Sequence, residues 1–349
     1  MKSSSPGRLT IGVSILLGFF ALYAVAATGG YHLLKKYPFG AVEDSTREYF
    51  DFLTVDSSAR RVYLTHGTEV KVIDADDGAL IGNVTGLKHN HGLALANEFG
   101  RGFITDDGQV IIFDLKTLKV IAKAKAGSDA DGVIYDATSK RVFAMNGDNN
   151  STTVIDAKNG IVVGTIDMGG HPEFAVADGK GTVYDNIGDK NEVVAIDSRT
   201  LKIKSRWPVV PSCTPTALAM DREHRRLFIG GRGPKLLEVM DADNGRVIQT
   251  FPIADRVDTN VYEPETGLIF SSTRDGTIHI FHEDSPDKFS MAETVKTEFG
   301  AKTMGLDTKT HNLFLDTADF GPAPALSPSR PQPNPVAIPG TFRVLVYGR

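Results

Sequence analysis

A seven-bladed β-propeller of four-stranded antiparallel blades is the all-β fold class this chain predicts, and three observations carry it. An acidic or amide residue recurs seven times, as Asp56, Asn97, Asp136, Asp178, Asp221, Glu263 and Asp307, at separations of 41, 39, 42, 43, 42 and 44 residues. A period of that size marks stacked four-stranded sheets. A short apolar segment follows each of these anchors, and in five units a further apolar segment ends in Asp, as at Asp74, Asp114, Asp156, Asp197 and Asp241.

Each element of a unit follows from composition. Segments such as Arg61–Leu64, Arg141–Ala144, Arg226–Ile229 and Asn312–Leu315 are apolar or aromatic, with Gly, Asp and Asn on either side, as short strands require. The third strand of unit six, Thr277–Phe281, has His282 where the others have Asp. Turns such as Asp77-Gly78 and Asn159-Gly160 lead to fourth strands such as Leu80–Val84 and Ile161–Ile166. The last unit ends with a third strand, Phe342–Tyr347, and has no fourth. Tyr31–Gly40 reads like the fourth strands elsewhere, so it is expected to pair with Phe342–Tyr347, close the ring and remove an exposed sheet edge.

The third-strand pattern, Thr153-Val154-Ile155-Asp156-Ala157-Lys158-Asn159-Gly160-Ile161-Val162, resembles the repeat of the YVTN or YncE-like family of bacterial propellers. The resemblance covers about residues 31–349 and departs from the pattern at His282 and through a long insertion in unit seven. It implies an exported propeller and brings no catalytic residues with it.

The N-terminus predicts the destination. Lys2 and Arg8 precede an apolar run from Leu9 to Ala27, with Ala24-Val25-Ala26 offering small residues to a peptidase, the layout of a signal peptide over residues 1–26. A periplasmic or extracellular propeller domain over residues 31–349 follows. The alternative is an uncleaved membrane anchor, because the run approaches the length that spans a bilayer. One cysteine, Cys213, permits no internal disulfide, and no basic neighbour marks it as a reactive thiolate. The net charge of −5, with no basic groove interleaved with aromatics, argues against a nucleic-acid partner. Phosphate loops, dinucleotide fingerprints, His-Glu-x-x-His, Cys-x-x-Cys and Gly-x-Ser-x-Gly are all missing, so any chemistry must be assembled from several blades.

The repeat shows where. The residues five and seven positions before each anchor, with a one-residue slip in unit two, fall where the chain enters the innermost strand, and alternate strand residues share a side. In blade order the pairs are Tyr49 and Asp51, His89 and His91, Asp129 and Asp131, His171 and Glu173, Thr214 and Thr216, Arg256 and Asp258, and Gly300 and Lys302. Tyr49, Asp51, Asp129, Asp131, Arg256, Asp258 and Lys302 are candidate ligand-binding residues, and His89, His91, His171 and Glu173 candidate metal ligands. Imidazole with carboxylate suits zinc, manganese or iron, and carboxylates alone suit calcium. Arg256 and Lys302 suit an anionic group. Polar residues at a wet channel mouth also need no function, and Asp129 or Asp131 can serve simply as turn caps.

The turns between second and third strands are expected to open on the same face, among them Gly230-Gly231-Arg232-Gly233 and Arg274-Asp275-Gly276. The seventh, from Asp319 to Gly340, holds seven prolines and fits a covering loop or a docking segment. His66, His224, His279, His282 and His311 read as surface or turn residues without partners at metal spacing. The sequence therefore predicts an exported module that binds a small molecule or a protein segment at the channel mouth. The alternative is a metal-assisted hydrolase or lyase of lactonase type, using the His, Asp and Glu cluster at that mouth.

Overall fold

The computed structural model describes residues 1, 29–41, 48–325 and 334–349, so the proposed signal segment lies outside the described residues. Among those residues no helix is long and apolar enough to cross a membrane.

Seven separate four-stranded sheets form the ring, six of them in simple sequence order. The innermost strands are Phe50–Asp56, Asn90–Ala96, Ala130–Asp136, Pro172–Ala177, Pro215–Asp221, Val257–Glu263 and Met304–Asp307, in blades one to seven. Blade seven is closed as predicted: His32–Pro38 pairs antiparallel with Arg343–Gly348, from His32 opposite Gly348 to Pro38 opposite Arg343. Most side chains of this closing strand are exposed, and its ends are tied by aromatics. Tyr31 meets Phe270 edge-on at 5.3 Å, and Phe39 lies 6.2 Å from Phe342.

Strand alternation explains how one sheet serves two neighbours. In blade one, Val62 and Leu64 join the apolar cluster against Phe314 and Phe342 of blade seven, whereas Tyr63 between them joins the cluster against Ile104 and Phe113 of blade two. Each of the seven blade interfaces has such a cluster.

The anchors do two jobs. Asp56 Oδ1 accepts from Ala59 N at 2.9 Å, closing its own turn, while its Oδ2 accepts from Asn97 Nδ2 of the next blade at 3.0 Å. Asp178 meets Arg225 at 3.3 Å and Asp307 meets Arg60 at 2.6 Å, again across blade boundaries. The period is thus also a series of clasps between blades on one face of the ring.

His66 departs from the surface reading, and His224, His279 and His311 have partners although His224 and His311 do lie in turns. His66 is fully buried, stacked 4.1 Å from Phe342 and hydrogen-bonded to Glu48, because the start of blade one and the end of the chain both fold over it. His224 lies 2.8 Å from Asp221 and 3.1 Å from Glu283, so it does have partners at metal spacing. His311 Nδ1 bonds Glu263 at 2.6 Å, and Ala254 N donates to His279 Nε2 at 2.9 Å. Cys213 is buried, and burial followed by the nearby Glu238 pushes its thiol up, which agrees with an inert role.

Candidate functional site at the channel mouth

Strand-end and turn residues of three blades position their site residues. Asp106 Oδ1 accepts from the amides of Lys88 and His89 at 2.8 and 2.7 Å, Asn146 Oδ1 from Gly127 N at 3.1 Å, and Asp189 Oδ1 from His171 N at 2.7 Å. In these three blades a side chain at the end of the second strand or in the turn after it therefore caps the backbone as it enters the innermost strand. Asp129, Thr214 and Arg256 adopt φ of 52°, 53° and 58° there, and Gly300 adopts 85°. The left-handed conformation costs about 1 kcal/mol or more for a non-glycine residue, and it recurs at turns elsewhere in the ring, as at Arg60, Lys140 and Arg225.

Three adjacent blades build a bonded network at this mouth. Tyr49 Oη donates to Asp51 Oδ2 at 3.2 Å, and His91 Nδ1 lies 2.7 Å from Tyr49 Oη and 3.0 Å from Asp51 Oδ2. All three contacts are satisfied when Nδ1 carries a proton shared between Asp51 and the tyrosine oxygen. Asp131 Oδ1, 3.5 Å from His91 Nδ1, is sealed from solvent and carries no hydrogen bond. His89 stacks on Tyr49 at 4.2 Å and meets His91 edge-on at 4.6 Å. His171 is 3.7 Å from Glu173, one blade further on.

Blades five to seven supply the cations. Lys302 Nζ donates to Asp51 Oδ1 at 3.1 Å and to Asp258 Oδ2 at 2.9 Å, so it joins the two halves of the mouth. Asp258 also accepts from Thr303 Oγ1 at 3.2 Å and pairs with Arg232. Arg256 donates to Asn334 at the base of the long insertion. That base is pinned over the mouth: Gly321 N donates to Val336 O at 2.9 Å, Phe320 meets Phe299 edge-on at 5.2 Å, and Arg274 lies over the Phe320 ring at 5.8 Å. Two cavities result, of about 480 Å³ and about 330 Å³, which share Arg274 and Lys302 in their walls.

Charge placement shifts protonation. Burial raises the Asp51 carboxyl, but Lys302 and His91 outweigh it and hold Asp51 below the usual carboxylate range. Asp258 is likewise held down, with Lys302 and Arg232 overcoming burial. Asp131 goes the other way: burial and then the Asp51 charge push it up to about 7. Burial lowers His91, yet the hydrogen bond to Asp51 and the charge of Asp131 leave it raised. Both shifts have one sign in stability. A raised His contributes stability that is lost as pH climbs through its folded pKa, and a raised Asp binds its proton in the native state where the unfolded chain has released it. The thermal midpoint is therefore expected to fall between pH 5 and pH 8, and Asp131→Asn to reduce that fall. Calorimetry across this range checks it, and an equal fall in the variant would refute the assignment.

One aromatic contact bridges the channel. Phe52 of blade one and Phe174 of blade four stack with centroids 4.9 Å apart, and these blades are not neighbours in the ring, so the contact spans the channel. Beyond it, toward the face of the anchors, a cavity of about 580 Å³ is lined by apolar groups such as Leu93, Leu95, Val133 and Leu306 and by polar ones such as Asp56, Asn97 and Arg222.

The predicted pairs thus meet, though not as one ligand set. Asp51, His91 and Asp131 bring ligand atoms within 4.8 Å of one another, as do Asp221, His224 and Glu283 on the opposite face. Among the described residues His89, His171 and Glu173 join neither group. Sequence reasoning missed Arg232 and Arg274. A signal existed: both stand eleven residues after their anchors, where the other blades have Gly, Asp or Ala.

No family model matches the chain. The uncharacterized protein YncE of Escherichia coli K12 is 29% identical over 223 residues, covering 60% of this chain and 57% of YncE, so the alignment spans little more than half of that relative. Among solved structures, the WD40 β-propeller domain of Doa1 superposes with a TM-score of 0.70 at 13% identity, over 92% of this chain and 98% of that one. A chain of hydrazine synthase from Kuenenia stuttgartiensis gives 0.68 at 13% identity, over 79% and 96%. These structural likenesses speak for the fold alone. By architecture the chain is a seven-bladed β-propeller, and by sequence it is similar to YncE over part of its length.

Proposed function

We propose that this protein is an exported binding module that holds a small molecule or a segment of a partner protein at the charged mouth of its propeller. The observation that carries this reading is the convergence of charged and aromatic side chains on the mouth, beneath which Phe52 and Phe174 stack across the channel. The walls of the mouth carry side chains from all seven blades, and these are groups that orient a ligand. The basic and apolar N-terminal segment supports a periplasmic or extracellular location. Thermal melts of the full chain with a panel of sugars, lactones and carboxylates test the reading. A ligand is expected to raise the midpoint of the wild type and not that of the Asp131→Asn, Arg256→Gln double variant. A shift that persists in the double variant places binding elsewhere and ends the proposal.

One observation favours a second reading, a metal-assisted hydrolase or lyase of lactonase type. Asp51, His91 and Asp131 could hold a divalent metal, such as zinc, manganese, iron or calcium, with positions left for water and substrate. A metal there would compete with the proton on His91 Nδ1 and with Lys302 for Asp51, so occupancy would rise with pH. Elemental analysis of the purified protein beside His91→Ala decides between the readings. Near-stoichiometric metal lost in the variant favours the hydrolase, and no metal after reconstitution removes it.

A further inference from the structure

The cavity of about 480 Å³ over blades five to seven has an unbalanced lining. Arg232, Arg256, Arg274 and Lys302 face two carboxylates, Asp255 and Asp258. Both carboxylates are already engaged. Asp258 is divided between Arg232 and Lys302, and Asp255 lies 3.6 Å from Lys235, outside the cavity lining. Lys302 is neutralised further by Asp51. The positive charge left over belongs to Arg256 and Arg274.

Arg274 is the telling residue. Its Nε is sealed from solvent and carries no hydrogen bond, and among the described residues its guanidinium meets no carboxylate. It rests on the face of Phe320, which orders the fork without satisfying its donors. Burial, then the charge of Arg256, lowers its hold on its proton, the direction expected of a cation kept among cations. A half-buried guanidinium whose nearby carboxylate, Asp258, is already shared by Arg232 and Lys302 is poorly compensated, and a fork of five donors matches the oxygens of a carboxylate or a phosphate. Arg256 reaches the same cavity from a left-handed backbone, with Asn334 as its one side-chain hydrogen-bond partner among the described residues. Two forks from one blade thus converge on one space, Arg274 at the wall it shares with the second cavity.

We propose that this cavity is an oxyanion site for a doubly charged group, a phosphate or a dicarboxylate, gripped by Arg274 and Arg256 with Arg232 and Lys302 at its edge. The inference rests on the mouth being the binding surface and supplies its ligand class. The negative half of the mouth, from Asp51 to Glu173, then faces whatever neutral or cationic remainder the ligand carries, so the two halves select for a molecule charged at one end.

The test is isothermal titration of the full chain with inorganic phosphate, succinate and acetate, at low and at high sodium chloride. The expected result is that phosphate or succinate binds more tightly than acetate, that salt weakens the binding, and that Arg274→Gln and Arg256→Gln each weaken it about tenfold with the thermal midpoint held. Whichever of phosphate and succinate binds identifies the source of the dianion. Binding by none of the three, or binding indifferent to both substitutions, overturns the site. If none of the three anions binds while a neutral ligand stabilises wild type and both arginine variants but not Asp131→Asn, the oxyanion assignment falls and the mouth stands as the binding surface.

Discussion

Deleting residues 29–40 is expected to lower the thermal midpoint by about 10 °C or more and to produce self-association. The segment removes more than its exposed strand suggests. Tyr31 is 5% exposed, packs on Phe270 and donates through its hydroxyl to His311 O at 3.1 Å. Losing a buried aromatic of this kind costs about 3–5 kcal/mol, and the half-buried Phe39 adds about 1–2 more. At about 2 °C per kcal/mol for a chain of this size, the two together account for the shift. The deletion also leaves Arg343–Gly348 as an open edge, a row of unpaired backbone groups that invites another copy. Calorimetry with size-exclusion chromatography measures both effects. An unchanged midpoint would mean that blade seven is stable with three strands and that closure is incidental.

Lys302→Met is expected to be the most damaging single change at the mouth, at about 3 kcal/mol, or about 6 °C. Its ammonium holds Asp51 and Asp258 together, and both carboxylates are largely buried. Removing one member of a buried ion network leaves charge without compensation, which costs more than the network contributes over an apolar replacement. The estimate sits at the low end because each carboxylate keeps a partner, His91 for Asp51 and Arg232 for Asp258. Adding Asp258→Asn to Lys302→Met should recover part of the loss. Urea unfolding of the two variants is the measurement, and a double variant no more stable than the single would show that Lys302 acts through packing of its stem and not through charge.

Much of this was legible in the sequence because a blade is a local unit. The spacing of Asp56, Asn97 and their successors reflects one turn of the ring, and the alternation within Tyr49 and Asp51 or His89 and His91 is a property of one strand. Ring closure was legible too, since a blade short of one strand needs it from somewhere. What lay beyond reach depends on neighbours that the repeat does not encode. His66 is buried by Glu48 and by Phe342, which is distant in sequence and belongs to the other end of the ring. His224 finds Glu283 across a blade boundary. The identity of the residue opposite a given pair depends on ring geometry, which is why His91 turns out to share Asp51 and Asp131 instead of His89, His171 and Glu173. Arg232 and Arg274 were hidden differently: their turns were read for backbone chemistry, and the long side chains that reach back over the mouth were not.

The aromatic stack across the channel has a kinetic meaning. Phe52 and Phe174 stand as an aromatic bridge between the charged cavities at the mouth and the cavity walled by Leu93, Leu95 and Leu306, so a solute moving from one to the other must pass that bridge. A ligand held among the charged side chains would come and go past Phe320, Val336 and Ala337, and its residence time would then be set there.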